Sequence, residues 1–453
     1  MTEREFAVDV VSRLRQSGYE ALWAGGCVRD ELLGLSPADY DVATSALPEQ
    51  VIALFRRTIE VGVSFGVVEV LGPRLFDGSL PKVQVATFRS DGQYLDGRRP
   101  ESVTFSSAEE DAQRRDFTIN GMFFDPLEGR VIDYVGGKAD LQAKILRAIG
   151  DPVARFTEDK LRLMRAVRMA ARFEFPIENQ TAEAIRGMAD QLSVVSAERI
   201  ADELRKMMTH RNRASALRQM DELGLMNQVL PEIDSDMKGL PQGLPSAPTG
   251  DLWQHTLQVV ELLQGPCWPE PVPVSFPLAF AAILHDVGKK RSAAREQDRY
   301  TFHGHEHIGK RLAGLACRRL KLSNQEANRI EWLVERHQYL SDAPVMRPSK
   351  LKPILVHPGI GELLAIHRAD ALASEHSIEH VEFCERILRE TPPEELNPPP
   401  LITGDDLIEL GWEQGPLFKK VLDAVREAQL EGTIRTKSEA IEVAGEKKGV
   451  RSH

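Results

Sequence analysis

The spacing of hydrophobic residues changes character along the chain. Residues 4–17 repeat apolar side chains at helical intervals and lead into the run ALWA, which predicts a helix followed by a strand. From 51 to 135, short β-branched runs such as KVQVATF and VIDYV alternate with polar, glycine-bearing turns, a pattern typical of strands in a mixed α/β domain. From about 155 to about 229 the spacing is helical. The pattern therefore predicts a small sheet domain followed by helices.

Two breaker-rich segments divide the helical part. KGLPQGLPSAPTG (238–250) has the composition of an interdomain linker, and TPPEELNPPP (391–400) separates a last helical unit from the rest. The predicted organisation is an α+β chain with a mixed-sheet head at 1–150, a helical neck and body at 151–237, a linker at 238–250, a helical domain at 251–390 and a helical tail at 401–453.

Composition narrows the class of protein. The chain has 453 residues and a net charge of −11, which excludes a protein that coats nucleic acid nonspecifically but not one with a local basic groove. The polar start MTEREF is not that of a signal peptide, and no run approaches the roughly 18 apolar residues of a membrane helix. Four widely spaced cysteines predict reduced thiols and a cytoplasmic protein without a membrane partner.

The first candidate site lies near the N-terminus. Gly25 and Gly26 precede Arg29, and the pair Asp39 and Asp41 follows about ten residues later. Residues i and i+2 of a strand face the same side, so the two carboxylates can converge on one Mg²⁺, which prefers oxygen ligands and bridges to substrate phosphates. The glycines let backbone amides approach a triphosphate. The alternative interpretation of an isolated DxD motif is a solvated loop that happens to contain two acids.

The segment FTEDKLRLMRAVRMAARFEF (156–175) predicts an uninterrupted helix with Thr157 as its N-cap. On such a helix Asp159 and Arg162 are roughly 60° apart, and Arg165, Arg168 and Arg172 form a stripe. A helix linked by ion pairs would show similar spacing. Arginines nevertheless outnumber acids between 158 and 172, so the segment does not balance its own charge.

Together these motifs resemble one family. GGCVRDELLG followed by DYDVATSALPEQV is similar to the signature of class II CCA-adding enzymes and bacterial poly(A) polymerases, whose head is polymerase-beta-like. The resemblance implies that Asp39 and Asp41 are catalytic and bind Mg²⁺. RRDFTIN (114–120) looks like the ribose-recognising element, so Asp116 and Asn120 would hold sugar hydroxyls and Arg115 a phosphate.

The resemblance extends into the helical part. Glu158, Asp159 and Arg162 match the EDxxR motif whose Asp and Arg read the Watson–Crick edge of the incoming base, and SAERIADELRKMM (196–208) resembles a motif that supports this element. The nucleotide-binding residues implied are Gly25, Gly26, Arg29, Arg115, Asp116, Asn120, Asp159, Arg162, Arg165 and Arg168. The chain departs from the family where Gly121 replaces Ala and where Gln84 replaces a frequent third acid. Glu69 is an alternative third acid.

A second candidate site follows residue 250. His255, the pair His285–Asp286, His305, His337 and Asp370 form an ordered series in a helical region, and imidazole with carboxylate suits Mn²⁺, Fe²⁺, Ni²⁺ or Mg²⁺. A lone histidine on a helix is usually a packed or surface residue, but an ordered series of histidines and aspartates indicates a metal site. The series resembles the HD phosphohydrolases, which implies His255, His285, Asp286 and Asp370 as metal ligands, with His305 and His337 as candidates for a second metal. His303 and His307 are expected to be bystanders.

The resemblance implies addition of CCA to the tRNA 3′ end from CTP and ATP by two-metal nucleotidyl transfer, with no DNA partner. The loop containing DGRRP (96–100) and the absence of a GRRF-type segment favour CCA addition. Among the alternative activities, A-only addition or poly(A) synthesis ranks second and CC-only addition ranks last. Two further alternatives are an HD phosphohydrolase with a head that only grips RNA and a noncatalytic RNA-binding protein.

Overall fold

The computed structural model describes residues 2–62, 66–74, 78, 80–91, 103–244, 247–297, 299–413 and 415–449. Contacts divide the chain into two units: Met1–Met207 with Ser215–Pro231, and Met208–Ala214 with Glu232–His453. The α+β class is confirmed, since the first unit contains a mixed sheet and the remainder is mainly helical. Among the helices described, none combines the length and hydropathy needed to cross a bilayer.

The first unit is built on a seven-stranded sheet. Its strands are β1 (Ala21–Ala24), β2 (Tyr40–Thr44), β3 (Thr58–Gly62), β4 (Val67–Leu71), β5 (Lys82–Thr87), β8 (Phe123–Asp125) and β9 (Arg130–Ile132). Strands β6 (Arg89–Asp91) and β7 (Val103–Phe105) form a separate two-stranded ribbon. The order in the sheet is β3-β4-β5-β2-β1-β8-β9, and only the β2–β5 pair is parallel. The central position of β2 fixes the carboxylates at its start.

Helices cover this sheet and continue beyond it. They are α1 (Glu3–Gln16), α2 (Gly26–Leu32), α3 (Pro48–Leu54), α4 (Ala108–Gln113), α5 (Gly137–Ala143), α6 (Pro152–Glu158), α7 (Arg162–Phe173), α8 (Asn179–Met188), α9 (Ala197–Met208), α10 (Arg213–Glu222), α11 (Met226–Val229) and α12 (Pro231–Asp236). Short 3-10 helices span Thr118–Asn120 and Ala189–Val194. A buried cluster that includes Leu22, Ala43, Phe88 and Phe123 anchors the sheet.

Residues of the second unit form a longer run of helices. These are α13 (Leu252–Leu262), α14 (Phe276–Leu284), α15 (Lys289–Ser292), α16 (His305–Arg319), α17 (Asn324–Arg336), α18 (Pro348–Leu355), α19 (Ile360–Ala373), α20 (Glu379–Glu390), α21 (Pro393–Leu396), α22 (Gly404–Glu409), α23 (Pro416–Glu431) and α24 (Lys437–Gly449). A 3-10 helix spans Ala343–Val345, and Leu407, Trp412 and Val421 belong to a core cluster of the last helices.

Two short ribbons interrupt these helices. Strands β10 (Pro241–Leu244) and β11 (Ala247–Asp251) pair within the segment predicted as a linker, so its prolines and glycines lie in an antiparallel ribbon. Strands β12 (Ala294–Glu296) and β13 (Arg299–Thr301) form the second ribbon, directly before α16. The four cysteines are free thiols, as the sequence predicts.

Candidate active site

Two aspartates stand at the start of the central strand β2. Asp41 is the second residue of the strand and Asp39 directly precedes it, while Tyr40 between them is buried. Burial, followed by the neighbouring charge of Asp39, raises the pKa of Asp41 to about 6, and Arg115 acts in the opposite direction. Two acids in this position can share a cation, which would relieve their repulsion.

The residue that departs from the family pattern lies beside this pair. Gln84 of β5 is in register with Asp41 on one side and with Glu69 of β4 on the other. Residues in register point to the same face, and two strand spacings place the Glu69 backbone about 10 Å from that of Asp41. The Glu69 carboxylate also pairs with Lys82 at 3.2 Å. Glu69 thus shares the face of Asp41 at a distance of two strands.

The glycine turn before α2 lies against the arginine of RRDFTIN. Gly25 has φ +74°, and a Cβ there would be 2.9 Å from Nη1 of Arg115. Its amide donates to the carbonyl of Met122 at 3.2 Å. A side chain at Gly25 would therefore be strained and would displace Arg115.

Arg29 connects the same turn to the second motif. It is 4% exposed, donates to Oδ1 of Asn120 at 2.5 Å and pairs with Asp30 at 2.6 Å. Asn120 in turn donates to Oδ1 of Asp116 at 3.0 Å. The second Asp116 oxygen accepts from Arg165 of α7 at 2.9 and 2.5 Å. Burial raises the pKa of Asp116, but Arg165 and Asn120 outweigh it and hold that pKa well below its usual range.

The helix predicted over 156–175 is broken, and this expectation was wrong. Helix α6 ends at Glu158, and α7 begins at Arg162. Asp159 is extended at φ −144° and ψ 106°, and its carboxylate accepts from the amide of Leu161 at 3.0 Å and from Arg199 of α9 at 2.7 Å. These bonds stabilise the break because they satisfy groups that the helical ladder leaves free.

The prediction that Thr157 is an N-cap was wrong. Asp151 caps α6 by accepting from the amide of Val153 at 3.0 Å, and Pro152 occupies the first helical position. Thr157 lies near the end of that helix, and its hydroxyl donates to the carbonyl of Val153 at 2.8 Å. The helix starts earlier because Asp-Pro supplies both a cap and a preset φ.

Arg162 is held by several acceptors. It donates to the Glu158 carboxylate at 2.5 Å and to the carbonyl oxygens of Arg155 and Arg114 at 2.9 and 3.1 Å. Arg155 donates to the same Glu158 oxygen at 2.8 Å. Glu158 therefore bridges two guanidinium groups and orients the one in α7.

The paired aspartates, the glycine turn, the RRDFTIN motif and the arginines of α7 border one cavity of about 610 Å³ in the first unit. Its lining contains the twelve residues of the head and neck predicted from the sequence, which are Gly25, Gly26, Arg29, Asp39, Asp41, Arg115, Asp116, Asn120, Asp159, Arg162, Arg165 and Arg168. Eight arginines and four aspartates give it a positive balance in an acidic chain. Such a cavity attracts a polyanion such as a nucleoside triphosphate.

Four lining residues were absent from the predicted site: Arg89, Arg114, Met169 and Arg172. Arg114 is adjacent to Arg115 and Arg172 ends the predicted arginine stripe, so both carried a local signal. Arg89 lies in β6, and no local signal in the sequence indicated that it lines the cavity. Arg168, which the sequence did predict, is fixed by Glu203 of α9 at 2.5 Å. The segment DGRRP (96–100) lies outside the described residues.

The second candidate site gathers the predicted histidines and aspartates of the second unit. Nε2 of His255 is 3.0 Å from Oδ1 of Asp370, and Nε2 of His285 is 3.2 Å from Oδ2 of Asp286. Nε2 of His337 and of His305 lie 3.2 and 3.6 Å from the other Asp286 oxygen. Two ligand groups share Asp286, one with His255 and His285 and the other with His305 and His337.

Three of the histidines have the same local geometry. Nδ1 of His285, His305 and His337 lies 2.7 to 2.8 Å from the carbonyl three residues earlier. A carbonyl only accepts, so each Nδ1 carries the proton and each Nε2 presents a lone pair to the cluster. Metal-binding histidines are oriented in this way.

The atoms that point into this cluster fit a cation. Nε2 of His285 and both carboxylate oxygens of Asp286 are buried in the cluster, where the Asp286 carboxylate is paired with the ammonium group of Lys289. Burial raises the pKa of Asp286, but Lys289 and His285 outweigh it and hold that pKa well below its usual range. Nitrogen and oxygen donors without a thiolate suit the divalent ions predicted from the sequence. The expected bystanders His303 and His307 are exposed.

Two residues near this cluster were missed. Lys289 lies 2.5 Å from Oδ2 of Asp286, and His367 is buried on α19 beside His380, with ring centroids 5.3 Å apart. Lys289 follows the His-Asp pair by three residues, a spacing that could have drawn attention to it. His367 had no sequence signal beyond its residue type.

Comparisons with known families match three parts of the chain. Residues 21–147 match the Poly A polymerase head domain, residues 174–237 match the probable RNA and SrmB-binding site of polymerase A, and residues 252–375 match the HD domain. The first match contains the carboxylates of β2 and the last contains the histidine cluster.

Curated relatives and solved structures agree with these matches. The chain is 44% identical over 220 residues to the CCA-adding enzyme of Geobacillus thermodenitrificans (48% of this chain, 53% of the relative) and 40% identical over 259 residues to that of Levilactobacillus brevis (56% and 63%). It thus spans between half and two thirds of these relatives. It also resembles the Bacillus stearothermophilus CCA-adding enzyme solved with CTP, at 28% identity, with 99% of each chain covered and a TM-score of 0.72.

Proposed function

We propose that the chain is a member of the family of class II CCA-adding enzymes and bacterial poly(A) polymerases and that it adds CCA to the 3′ end of tRNA. The matches of its head, its RNA-binding segment and its HD domain support this proposal. The observation that carries this proposal is the arginine-rich cavity, in which the paired aspartates, the ribose motif and the EDxxR residues meet. CTP and ATP are the proposed nucleotide substrates. A cytoplasmic location fits its free thiols.

The chemistry assigned to the head is in-line displacement. The 3′ hydroxyl of the RNA attacks the α-phosphorus, the bond to the bridging oxygen breaks, and pyrophosphate leaves. A cation such as Mg²⁺ held by Asp39 and Asp41 would lower the pKa of the attacking hydroxyl and neutralise developing charge. Arginines of the cavity hold the triphosphate, with Arg115 positioned against the glycine turn to meet a phosphate.

Sugar recognition is assigned to Asp116 and Asn120. Both are buried at the cavity wall, and their mutual hydrogen bond fixes the carboxylate and the amide. Arg165 occupies one Asp116 oxygen, so a ribose hydroxyl would share this acceptor with a guanidinium. Carboxylate oxygens accept more than one bond, and the pair can therefore hold both partners.

Base selection is assigned to Asp159 and Arg162. Three hydrogen bonds to protein acceptors fix the Arg162 guanidinium, which has five N–H donors in all. The donors that remain can meet a ring nitrogen or carbonyl, while Asp159 accepts from an exocyclic amine. Cytosine and adenine both offer that amine beside a ring nitrogen, which favours CTP and ATP over UTP and GTP.

The test uses purified protein and tRNA ending at the discriminator base, with CTP and ATP supplied separately and together. We expect extension by CC with CTP alone and a stop after CCA with both. Unlimited A addition to generic RNA would make the enzyme a poly(A) polymerase instead. Asp39→Ala combined with Asp41→Ala should abolish incorporation, and unchanged incorporation would reject the head as the catalytic site.

For the HD domain we propose metal-dependent hydrolysis of a phosphoester. The support is the ligand set His255, His285, Asp286 and Asp370, with His305 and His337 arranged around the other oxygen of Asp286. A divalent ion such as Mn²⁺, Fe²⁺, Ni²⁺ or Mg²⁺ would supply an activated water there. Phosphate release by the Asp39→Ala, Asp41→Ala protein would separate this activity from the head.

A further inference from the structure

We propose that Tyr300 and Phe302 form a stacking platform for the nucleobase of the phosphoester that the HD site takes. We call these two side chains the aromatic platform. The inference rests on the proposed hydrolase activity of that site and adds to it a subsite for the base of its substrate. Neither residue belongs to the ligand set described above.

The aromatic platform lies on one face of a strand. Tyr300 is in β13 and Phe302 directly follows it, and the two rings are nearly parallel, with centroids 6.3 Å apart and an interplanar angle of 24°. Both side chains are half-buried, so part of each ring remains accessible. A residue separation of two places both rings on the same side, where a planar base can stack.

This platform is joined to the metal ligands through two contacts. The carbonyl of Phe302 accepts from Nδ1 of His305 at 2.7 Å, so the backbone of the platform orients one ligand. Nζ of Lys289 lies 5.5 Å from the centre of the Phe302 ring and 2.5 Å from Oδ2 of Asp286. The ring and the ligand cluster therefore share one neighbour, the ammonium group of Lys289, which places them within the length of a nucleoside.

Charge around the platform favours a phosphate. From Asp286 to His305 the sequence contains five Lys and Arg but three Asp and Glu, against a net charge of −11 for the whole chain. Arg295 of β12 is in register with Tyr300 and is exposed, so the two residues share one face of the ribbon. Basic residues interleaved with aromatic rings bind nucleotides by pairing phosphate with charge and base with a π-face.

The proposed reaction consumes one water. Its oxygen forms a bond to phosphorus, the bond from phosphorus to one ribose oxygen breaks, and that oxygen receives a proton from the water. No oxidant or further co-reactant is needed. The platform holds the base while the phosphate meets the ligand cluster, so removal of the rings should weaken binding and leave the chemical step intact.

The experiment compares adenosine 2′,3′-cyclic phosphate with glycerol 1,2-cyclic phosphate, which has no base, on the full metal-loaded chain. Tyr300→Leu with Phe302→Leu should raise KM for the adenosine ester about tenfold, with kcat unchanged and the glycerol ester affected less than twofold. Tyr300→Phe with Phe302→Tyr retains both rings and should behave as the unsubstituted protein. Equal losses with both esters, or no loss with any substrate that carries a base, would overturn the platform.

Two further arms complete the test. An oligoribonucleotide ending in a cyclic phosphate distinguishes the two sources of the ligand. If the leucine substitutions raise KM for the oligoribonucleotide alone, the site takes an RNA end. If they raise KM for the oligoribonucleotide and for the adenosine ester, the site takes any nucleotide. If the unsubstituted chain hydrolyses neither ester, the hydrolase proposal fails. The platform is then judged by irradiation with 4-thiouridine 3′-phosphate and peptide mapping, where crosslinks at Tyr300 or Phe302 support it and crosslinks confined to the head reject it.

Discussion

Replacing Glu158 by Gln tests whether the carboxylate that bridges Arg155 and Arg162 orients the base-reading arginine. The substitution keeps the side-chain shape but removes the charge, and its amide cannot accept from both guanidinium groups as well as the carboxylate does. The bonds involved measure 2.8 and 2.5 Å, and Glu158 is about a quarter exposed, at 28%. The solvent exposure of this bridge is therefore intermediate between that of a surface ion pair and that of a buried one.

The expected magnitude follows from that environment. A hydrogen bond to a charged group contributes about 1.5–3 kcal/mol, and partial exposure reduces this to about 1–2 kcal/mol for the bridge. Arg162 also donates to two carbonyl oxygens, which the substitution leaves in place. We therefore expect kcat/KM for CTP and ATP to fall about tenfold, since about 1.4 kcal/mol corresponds to a factor of ten.

The assay measures single-nucleotide incorporation into tRNA ending at the discriminator base and into tRNA ending in CC, together with thermal unfolding. A matched control is Asp202→Asn, which removes the exposed i,i+3 pair between Arg205 and Asp202 on α9. That control should change kcat/KM less than twofold. If Glu158→Gln also stays within twofold, the carbonyl contacts alone orient Arg162 and the bridge has no positioning role.

Three further predictions concern other parts of the molecule. Burial and Asp39 raise the pKa of Asp41 to about 6. The contribution of this carboxyl to folding stability therefore falls as pH rises from about 4, where the unfolded chain ionises, to about 6, and cation affinity falls as pH drops below about 6. Mg²⁺ titrations from pH 5 to 8 should show this fall, Asp39→Asn should move its midpoint to lower pH, and a flat profile would contradict it. Gly121→Ala should cost about 1–3 kcal/mol in denaturant unfolding, because its Cβ would lie 2.6 Å from Val135. Addition of Val135→Ala should restore part of the loss, and an unchanged midpoint would contradict the clash. His337→Ala should lower the metal content of the purified protein, measured by elemental analysis, and full retention would remove His337 from the ligand set.

Sequence motifs anticipated the residues of the head cavity better than its geometry. Asp39, Asp41 and Asp116 lie in short segments whose chemistry is visible locally, and the structure brings these segments together. The break after Glu158 could not be anticipated, since Asp159, Lys160 and Leu161 contain neither proline nor glycine. It depends on Arg199, forty residues later, which holds the Asp159 carboxylate.

The same distinction applies in the second unit. Histidines were identified because the residue type is scarce and its order along the chain is informative. The proline- and glycine-rich segment 238–250 indicated only that helices stop there. Pairing of Pro241 with Asp251 and of Gly243 with Pro248 depends on residues that composition does not connect. In this segment the local pattern predicted where the helices end, but residues distant along the chain decide which structure follows.

The histidines that donate to the carbonyl three residues earlier have a spectroscopic consequence. His285 and His337 stand at the C-terminal ends of α14 and α17, where helix carbonyls would otherwise need another donor. Helix termination thus selects one imidazole tautomer before any cation arrives. Nitrogen chemical shifts should therefore report a protonated Nδ1 for both rings with and without metal, so metal binding at Nε2 requires no tautomer exchange.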